Sequence, residues 1–147
     1  MIGFPYIKFK GMSFLMKKYV KVVGAVIENE QGNILCALRS PEMTLPNLWE
    51  FPGGKIEEGE IPTQSLIREI QEELECEIEV GDLVADIVYE YPTFIINLIT
   101  YKAKITSGTP IDKEHAELRW VATKDLNKLE WAPADIPTID ALLDLVK

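Results

Sequence analysis

The stretch FPGGKIEEGE, Phe51–Glu60, places the tightest limit on what this chain can build. A stiff Pro leads into two adjacent Gly, then into a run of charge. Directly after it, Pro62–Leu74 reads as a helix. Pro fits a first helical turn, and Leu66, Ile67, Ile70 and Leu74 repeat at helical spacing. The same helix carries REIQEE, Arg68–Glu73. Glu69, Glu72 and Glu73 stand at i, i+3 and i+4, within an arc of about 100°. Three like charges so close repel one another on an isolated helix. A divalent cation turns that cost into affinity, and carboxylate oxygens suit magnesium or manganese. Helix spacing alone favours a merely solvated Glu face. The preceding turn leaves two readings open, a plain loop or a loop that holds phosphate and metal.

Composition narrows the partners. The chain has 147 residues, enough for one domain with a core. Its apolar content is 47% and its charged content 27%, as in ordinary globular proteins. The net charge of −9 argues against a broad basic surface for a nucleic-acid polymer. It leaves small anionic substrates open, because a bound divalent metal reverses the local sign. Cys36 and Cys76 form no CxxC pair, and with His115 they make no usual zinc spacing. Both Cys sit in apolar runs, so buried thiols are expected. No apolar run approaches the roughly 20 residues that span a membrane, and no targeting signal is visible, so the cytoplasm is the default location. Residues 1–15 lack the pattern of a signal peptide. They read as an N-terminal extension or as a mis-assigned start ahead of Met16, with the main domain at 16–147.

The remaining pattern is mixed. Tyr19–Ile27 and Ile34–Leu38 read as strands joined in a hairpin by a turn at residues 28–33. Arg39–Asn47 is a loop, and Leu48–Phe51 a short extended piece entering a Gly-Gly turn. Ile78–Tyr91 and Thr93–Ile105 are strand-rich, broken at Tyr91-Pro92. Leu118–Val121 is a short strand. Ile136–Val146 is a closing helix with Ile139, Leu142, Leu143 and Val146 on one face. That order predicts an α+β fold, a mixed β-sheet packed by helices.

The turn and helix together resemble the Nudix hydrolases, whose box reads G-x5-E-x7-R-E-U-x-E-E-x-G-U, with U aliphatic. Here Gly54 is followed by Glu60 and then by Arg68-Glu69-Ile70-Gln71-Glu72-Glu73. Glu75 replaces the box glycine and Cys76 its last aliphatic residue. A glycine there commonly ends a helix in the left-handed conformation. Glu in that geometry costs on the order of 1 kcal/mol; a helix that runs on avoids the cost.

The resemblance implies an α/β/α sandwich and metal-dependent cleavage of a diphosphate bond with Mg2+ or Mn2+. It implies Glu69, Glu72, Glu73 and the Gly53 carbonyl as metal ligands, with Arg68 and Glu60 as the pair that orients them. Lys55 and Arg39 are candidates for phosphate contact, although a lone Arg in a loop is ordinarily solvated.

The likeness covers most of 16–147 and leans towards the MutT-type branch, which acts on nucleoside triphosphates. LWEFPGGKIEEGE and Tyr89-Glu90-Tyr91-Pro92 match that branch. Glu114 falls where the branch places a further glutamate, as metal ligand or general base; a surface glutamate is the plain alternative. In Trp131–Pro137, Asp135 takes the place of a base-reading Asn or Asp, or caps the last helix. Ionised, it accepts from NH groups only and suits an edge such as an exocyclic amine; otherwise it must be protonated. Phe51 and Trp131 are either base-stacking partners or core.

The implied substrate is 8-oxo-dGTP or a related triphosphate, giving monophosphate and pyrophosphate. CTP or a modified pyrimidine triphosphate is next, then ADP-ribose, then a catalytically inactive nucleotide-binding module. Retention of all three box glutamates favours the enzyme. The sequence does not choose between monomer and homodimer.

Overall fold

The computed structural model describes residues 6–9, 12–15 and 17–145. Met16 and Val146 therefore lie outside the described residues. Strands β1 (Tyr6–Phe9) and β2 (Met12–Leu15) pair antiparallel as a two-stranded unit. The main body begins with β3 (Lys18–Ile27) and β4 (Asn33–Leu38), followed by β5 (Trp49–Glu50) and β6 (Gly53–Lys55). Helix α1 is Pro62–Leu74. Strands β7 (Glu77–Glu90), β8 (Phe94–Ser107) and β9 (Glu117–Ala122) precede helix α2, Ile136–Leu145. No helix among the described residues is long and apolar enough to cross a membrane.

The mixed sheet is present. Its strand order is β6-β3-β8-β7, with β3 and β8 parallel and the other pairs antiparallel. A second, three-stranded sheet runs β5-β4-β9. The central strand β3 is apolar on both faces. Val23, Ala25 and Ile27 join Leu66, Ile70 and Leu74 of α1 in one core cluster. Val26 joins Ile139 and Leu142 of α2 in another. One helix thus covers each face of the sheet, giving the expected α/β/α sandwich. A buried hydroxyl pair, Thr100 and Thr138 at 2.8 Å, ties β8 to α2.

Three local expectations need correction. β3 and β4 do not form a hairpin ladder. Only the bridge Glu28↔Ile34 links them beyond the turn, because both edges of β3 are already taken by β6 and β8. The turn itself is real: Asn29 Oδ1 accepts from the N–H groups of Gln31 and Asn33. Next, Gly53-Gly54 is strand, not turn. The reversal comes later, where Glu60 N–H donates to Glu57 O and Gly59 takes a φ of 84°. Finally, Ile67 is 42% exposed while Ser65 is fully buried, so the buried face of α1 is Ser65, Leu66, Ile70 and Leu74.

The helix end keeps its left-handed geometry without glycine. Glu75 has φ 56° and ψ 38°, and its N–H donates to Gln71 O. The substitution Glu75→Gly therefore relieves strain, offset in part by added freedom of the unfolded chain. It is expected to raise stability by roughly 1 kcal/mol, read as a higher urea midpoint. The exposed pair of Lys113 with Glu75, 3.6 Å apart, contributes little against this. Both thiols are buried and free, as the sequence indicates.

Candidate active site

Helix α1 starts without a side-chain cap at Ile61; Pro62 supplies its first turn. Glu60 instead organises the entry. Its carboxylate accepts from Glu57 N–H at 3.0 Å, from Ser65 Oγ at 2.8 Å, and from Arg68 through two bonds of 2.8 Å. The Arg68 guanidinium, then the Glu57 N–H and the Ser65 hydroxyl, hold the Glu60 carboxyl down at about 2. Arg68 reaches on to Lys55 O, Glu69 Oε1 and Glu72 Oε2 at 3.2, 2.9 and 3.2 Å. One guanidinium thus staples the charged loop to the acidic face of the helix, as a planar five-donor group can.

The three helix glutamates meet different surroundings. Glu72 is exposed and Glu69 and Glu73 are half-buried, as their distance from the apolar stripe requires. Burial pushes the Glu69 carboxyl up, against the pull of Arg68. The Glu73 carboxyl is raised to about 8, first by burial and then by the charges of Glu50, Glu69 and Glu114. The Gly53 N–H donates to it. Its Oε2 is buried and has no hydrogen-bond partner. Strand β6 comes this close because it lacks side chains. A Cβ on Gly54 would lie 2.1 Å from Glu69 Oε2, and one on Gly53 would lie 1.9 Å from Val23 O.

Among the described residues, no group of three or more His, Cys, Asp or Glu is gathered so as to hold a metal. Arg68 draws Glu69 and Glu72 towards itself, while Glu73 turns inward. The donor set still fits a hard divalent cation. It offers oxygen ligands, an orphaned buried carboxylate oxygen, and a carboxyl raised by burial and by the negative charges around it.

From Glu73 a cleft of about 630 Å³ runs past Gly53, Gly54 and Lys55 to Phe51, Tyr91 and Asp135. A larger hollow, about 810 Å³ and lined by Glu28, Glu79, Lys102 and Trp120, holds none of the sequence-derived site residues. Asp135 is 6% exposed, and its Oδ1 accepts from Phe51 N–H at 3.2 Å. Burial, then the Glu50 charge, raise its carboxyl well above the usual range. A carboxyl raised in this way is the form that can donate as well as accept. Phe51 lines the cleft. Trp131 does not reach it. Its ring packs 4.7 Å behind Phe51, and its Nε1–H donates to Leu126 O at 2.7 Å. Tyr91, at the cleft's far end, accepts the Ala134 N–H through its hydroxyl.

Arg39 also lines the cleft, but its guanidinium is engaged. It donates to Glu50 Oε1 at 2.7 Å, to Thr44 O at 2.5 Å and to Thr44 Oγ1 at 2.9 Å. Glu114 is exposed, with its charge near enough to act on Glu73. Sequence reading missed Glu50 and His115. Glu50 Oε2 lies 2.8 Å from His115 Nε2. A lone His beside Glu114, and a charge inside the apolar run LWEF, were the available signals.

A family model described as NUDIX domain matches residues 18–142. The chain belongs to the Nudix family. Two relatives are both from Escherichia coli strain K12. The chain is 39% identical to a CTP pyrophosphohydrolase, covering 87% of this chain and 94% of the relative. It is 36% identical to an 8-oxo-dGTP diphosphatase, covering 86% and 98%. A solution structure of the Nudix protein MutT from methicillin-resistant Staphylococcus aureus 252 is similar with a TM-score of 0.73. It is 45% identical, covering 88% of this chain and 99% of that one. The Nudix hydrolase expectation and its MutT-type leaning are thereby met.

Proposed function

We propose that this chain hydrolyses a nucleoside triphosphate to the monophosphate and pyrophosphate, with 8-oxo-dGTP as leading substrate and Mg2+ or Mn2+ as cofactor. The observation that carries this is the single cleft joining the Glu73–Gly53 corner to the Phe51–Asp135 corner. One end suits phosphates and cations, the other a flat base. Glu69, Glu72, Glu73 and the Gly53 carbonyl would hold the metal. When bound, the metal neutralises phosphate oxygens and lowers the pKa of water. Arg68 keeps Glu69 and Glu72 aimed along one face, and Glu60 fixes Arg68. Glu114, exposed and with its charge acting on Glu73, would take a proton from the attacking water or add a ligand. Lys55 faces the phosphate end of the cleft. Arg39 lines the same cleft and must exchange Thr44 for phosphate to contribute.

At the base end, Phe51 offers an edge or face to the ring, and Asp135 hydrogen-bonds it. An Asp135 carboxyl raised by burial is suited to a base edge with both acceptor and donor positions, which purines and cytosine share. A second reading, CTP or a modified pyrimidine triphosphate, is favoured by the 39% identity to a CTP pyrophosphohydrolase. Pyrophosphate release from 8-oxo-dGTP, dGTP, CTP and 5-methyl-dCTP, and AMP formation from ADP-ribose, in Mg2+ and then EDTA, test both. We expect metal-dependent release led by 8-oxo-dGTP. A lead by CTP moves the assignment to the second reading. Turnover of ADP-ribose alone overturns the triphosphate assignment, and nucleotide binding without turnover overturns the enzyme assignment.

A further inference from the structure

We propose that His115 is a positioning residue: through Glu50 it holds the Glu114 segment beside the carboxylate helix. The proposal rests on the functional reading of Glu114 given above.

His115 is the single histidine of the chain. Its side chain is 1% exposed, in a segment whose other residues from 111 to 114 are exposed. A buried imidazole in a surface loop loses its hydration and needs a specific partner in return. It has one in Glu50 Oε2 at 2.8 Å. Glu50 is itself fixed by Arg39 through its other oxygen, at 2.7 Å. This carboxylate therefore joins the loop after β4 to the loop before β9.

The segment is tethered at both ends by backbone, with one exposed side-chain pair between them, Lys113 and Glu75 at 3.6 Å. Ile111 N–H donates to Leu74 O at 3.2 Å, at the end of α1, and Ala116 N–H donates to Leu38 O at 2.9 Å. Between these points His115 is the buried anchor, and Glu114 is its covalent neighbour. The charge of Glu114 acts on Glu73, and the buried anchor is one residue along the chain from it. Of the three linked residues Arg39 and Glu50 line the cleft, whereas His115 does not and acts on the segment through Glu50. Second-layer partners of this kind commonly change activity 10–100-fold when removed.

His115→Asn is too short to keep the bond to Glu50, whereas His115→Gln places an amide near the Nε2 position. Three readouts are compared. In His115→Asn, kcat for the best triphosphate falls roughly 10-fold while KM changes less than about 2-fold. His115→Gln restores most of kcat. In a Glu114→Gln background, His115→Asn causes no further loss, because its effect travels through Glu114. Independently of turnover, amide hydrogen exchange of residues 111–116 in the metal-free, nucleotide-free protein is faster in His115→Asn than in wild type. If His115→Asn does not fold, Glu50→Gln weakens the same bond from its other side. Because the Glu50 charge also acts on Glu73, this variant is read by exchange of residues 111–116, which is expected to quicken and whose constancy overturns the role. Unchanged kcat, an equal loss in the Glu114→Gln background, or unchanged exchange each overturn the positioning role. Wild-type protein without turnover overturns instead the functional reading beneath it.

Discussion

Glu73→Gln is expected to lower kcat by roughly 10²–10³-fold while leaving the metal-free fold at least as stable as wild type. Gln keeps the shape and still accepts the Gly53 N–H. It removes the charge that a cation would need. The stability half follows from the raised carboxyl. Folding lifts Glu73 from an ordinary 4.5 to about 8, chiefly by burial. Between those values the folded chain holds a proton that the unfolded chain has released. Stability therefore falls as pH rises through that window. Glu69 and Asp135, also raised, act with the same sign. Glu60 is lowered to about 2, so its contribution is lost only at acid pH. Urea unfolding in EDTA at pH 6 and pH 8.5 isolates Glu73 as the difference between wild type and variant. The wild type should lose more stability across the interval than Glu73→Gln. Equal slopes would contradict the buried, cation-seeking role assigned to this side chain.

Gly54→Ala should separate folding from function at a neighbouring point. The added methyl would come within 2.1 Å of Glu69 Oε2. The obstructing atom is the end of a flexible side chain, so Glu69 swings away and the sheet survives. Activity is then expected to drop on the order of 10²-fold, since one carboxylate no longer meets its partners. Gly53→Ala is different. Its methyl would press on the Val23 carbonyl at 1.9 Å, a backbone atom in the central strand. That strand lies between β6 and β8 and cannot yield without breaking pairs. Thermal melts and pyrophosphate release on both variants check this. The expected result is a folded, nearly inactive Gly54→Ala and a poorly folded Gly53→Ala. A fully active Gly54→Ala would contradict the place given to Glu69.

What the sequence made legible was local or motif-borne. The helix over Pro62–Leu74 follows from its periodicity and its Pro, and the break at Tyr91-Pro92 separates β7 from β8 as read. The different depths of Glu69, Glu72 and Glu73 follow from angle around the helix. The errors arose where partners are chosen at long range. β3 and β4 are adjacent and both apolar, so they look like a hairpin. Their pairing was decided by β6 and β8, whose closeness no periodicity encodes. Gly53-Gly54 looked like a turn because glycine permits turns. Here glycine admits the Val23 carbonyl and the Glu69 carboxylate instead. Trp131 could not be assigned to core or cleft until Phe51 was seen in front of it. Glu50 and His115 are 65 positions apart in sequence, and only the fold brings them together.

The most direct test of the central claim compares Glu72→Gln with wild type. Its side chain is 60% exposed, and its contact with Arg68 is one of several that Arg68 makes. Folding should scarcely register the change, with stability within about 0.5 kcal/mol of wild type. Pyrophosphate release from 8-oxo-dGTP, or from whichever triphosphate leads the panel, should fall roughly 10²–10³-fold in Mg2+. A folded Glu72→Gln protein that turns over at the wild-type rate would contradict the account, and the acidic face of α1 would then be only a solvated surface.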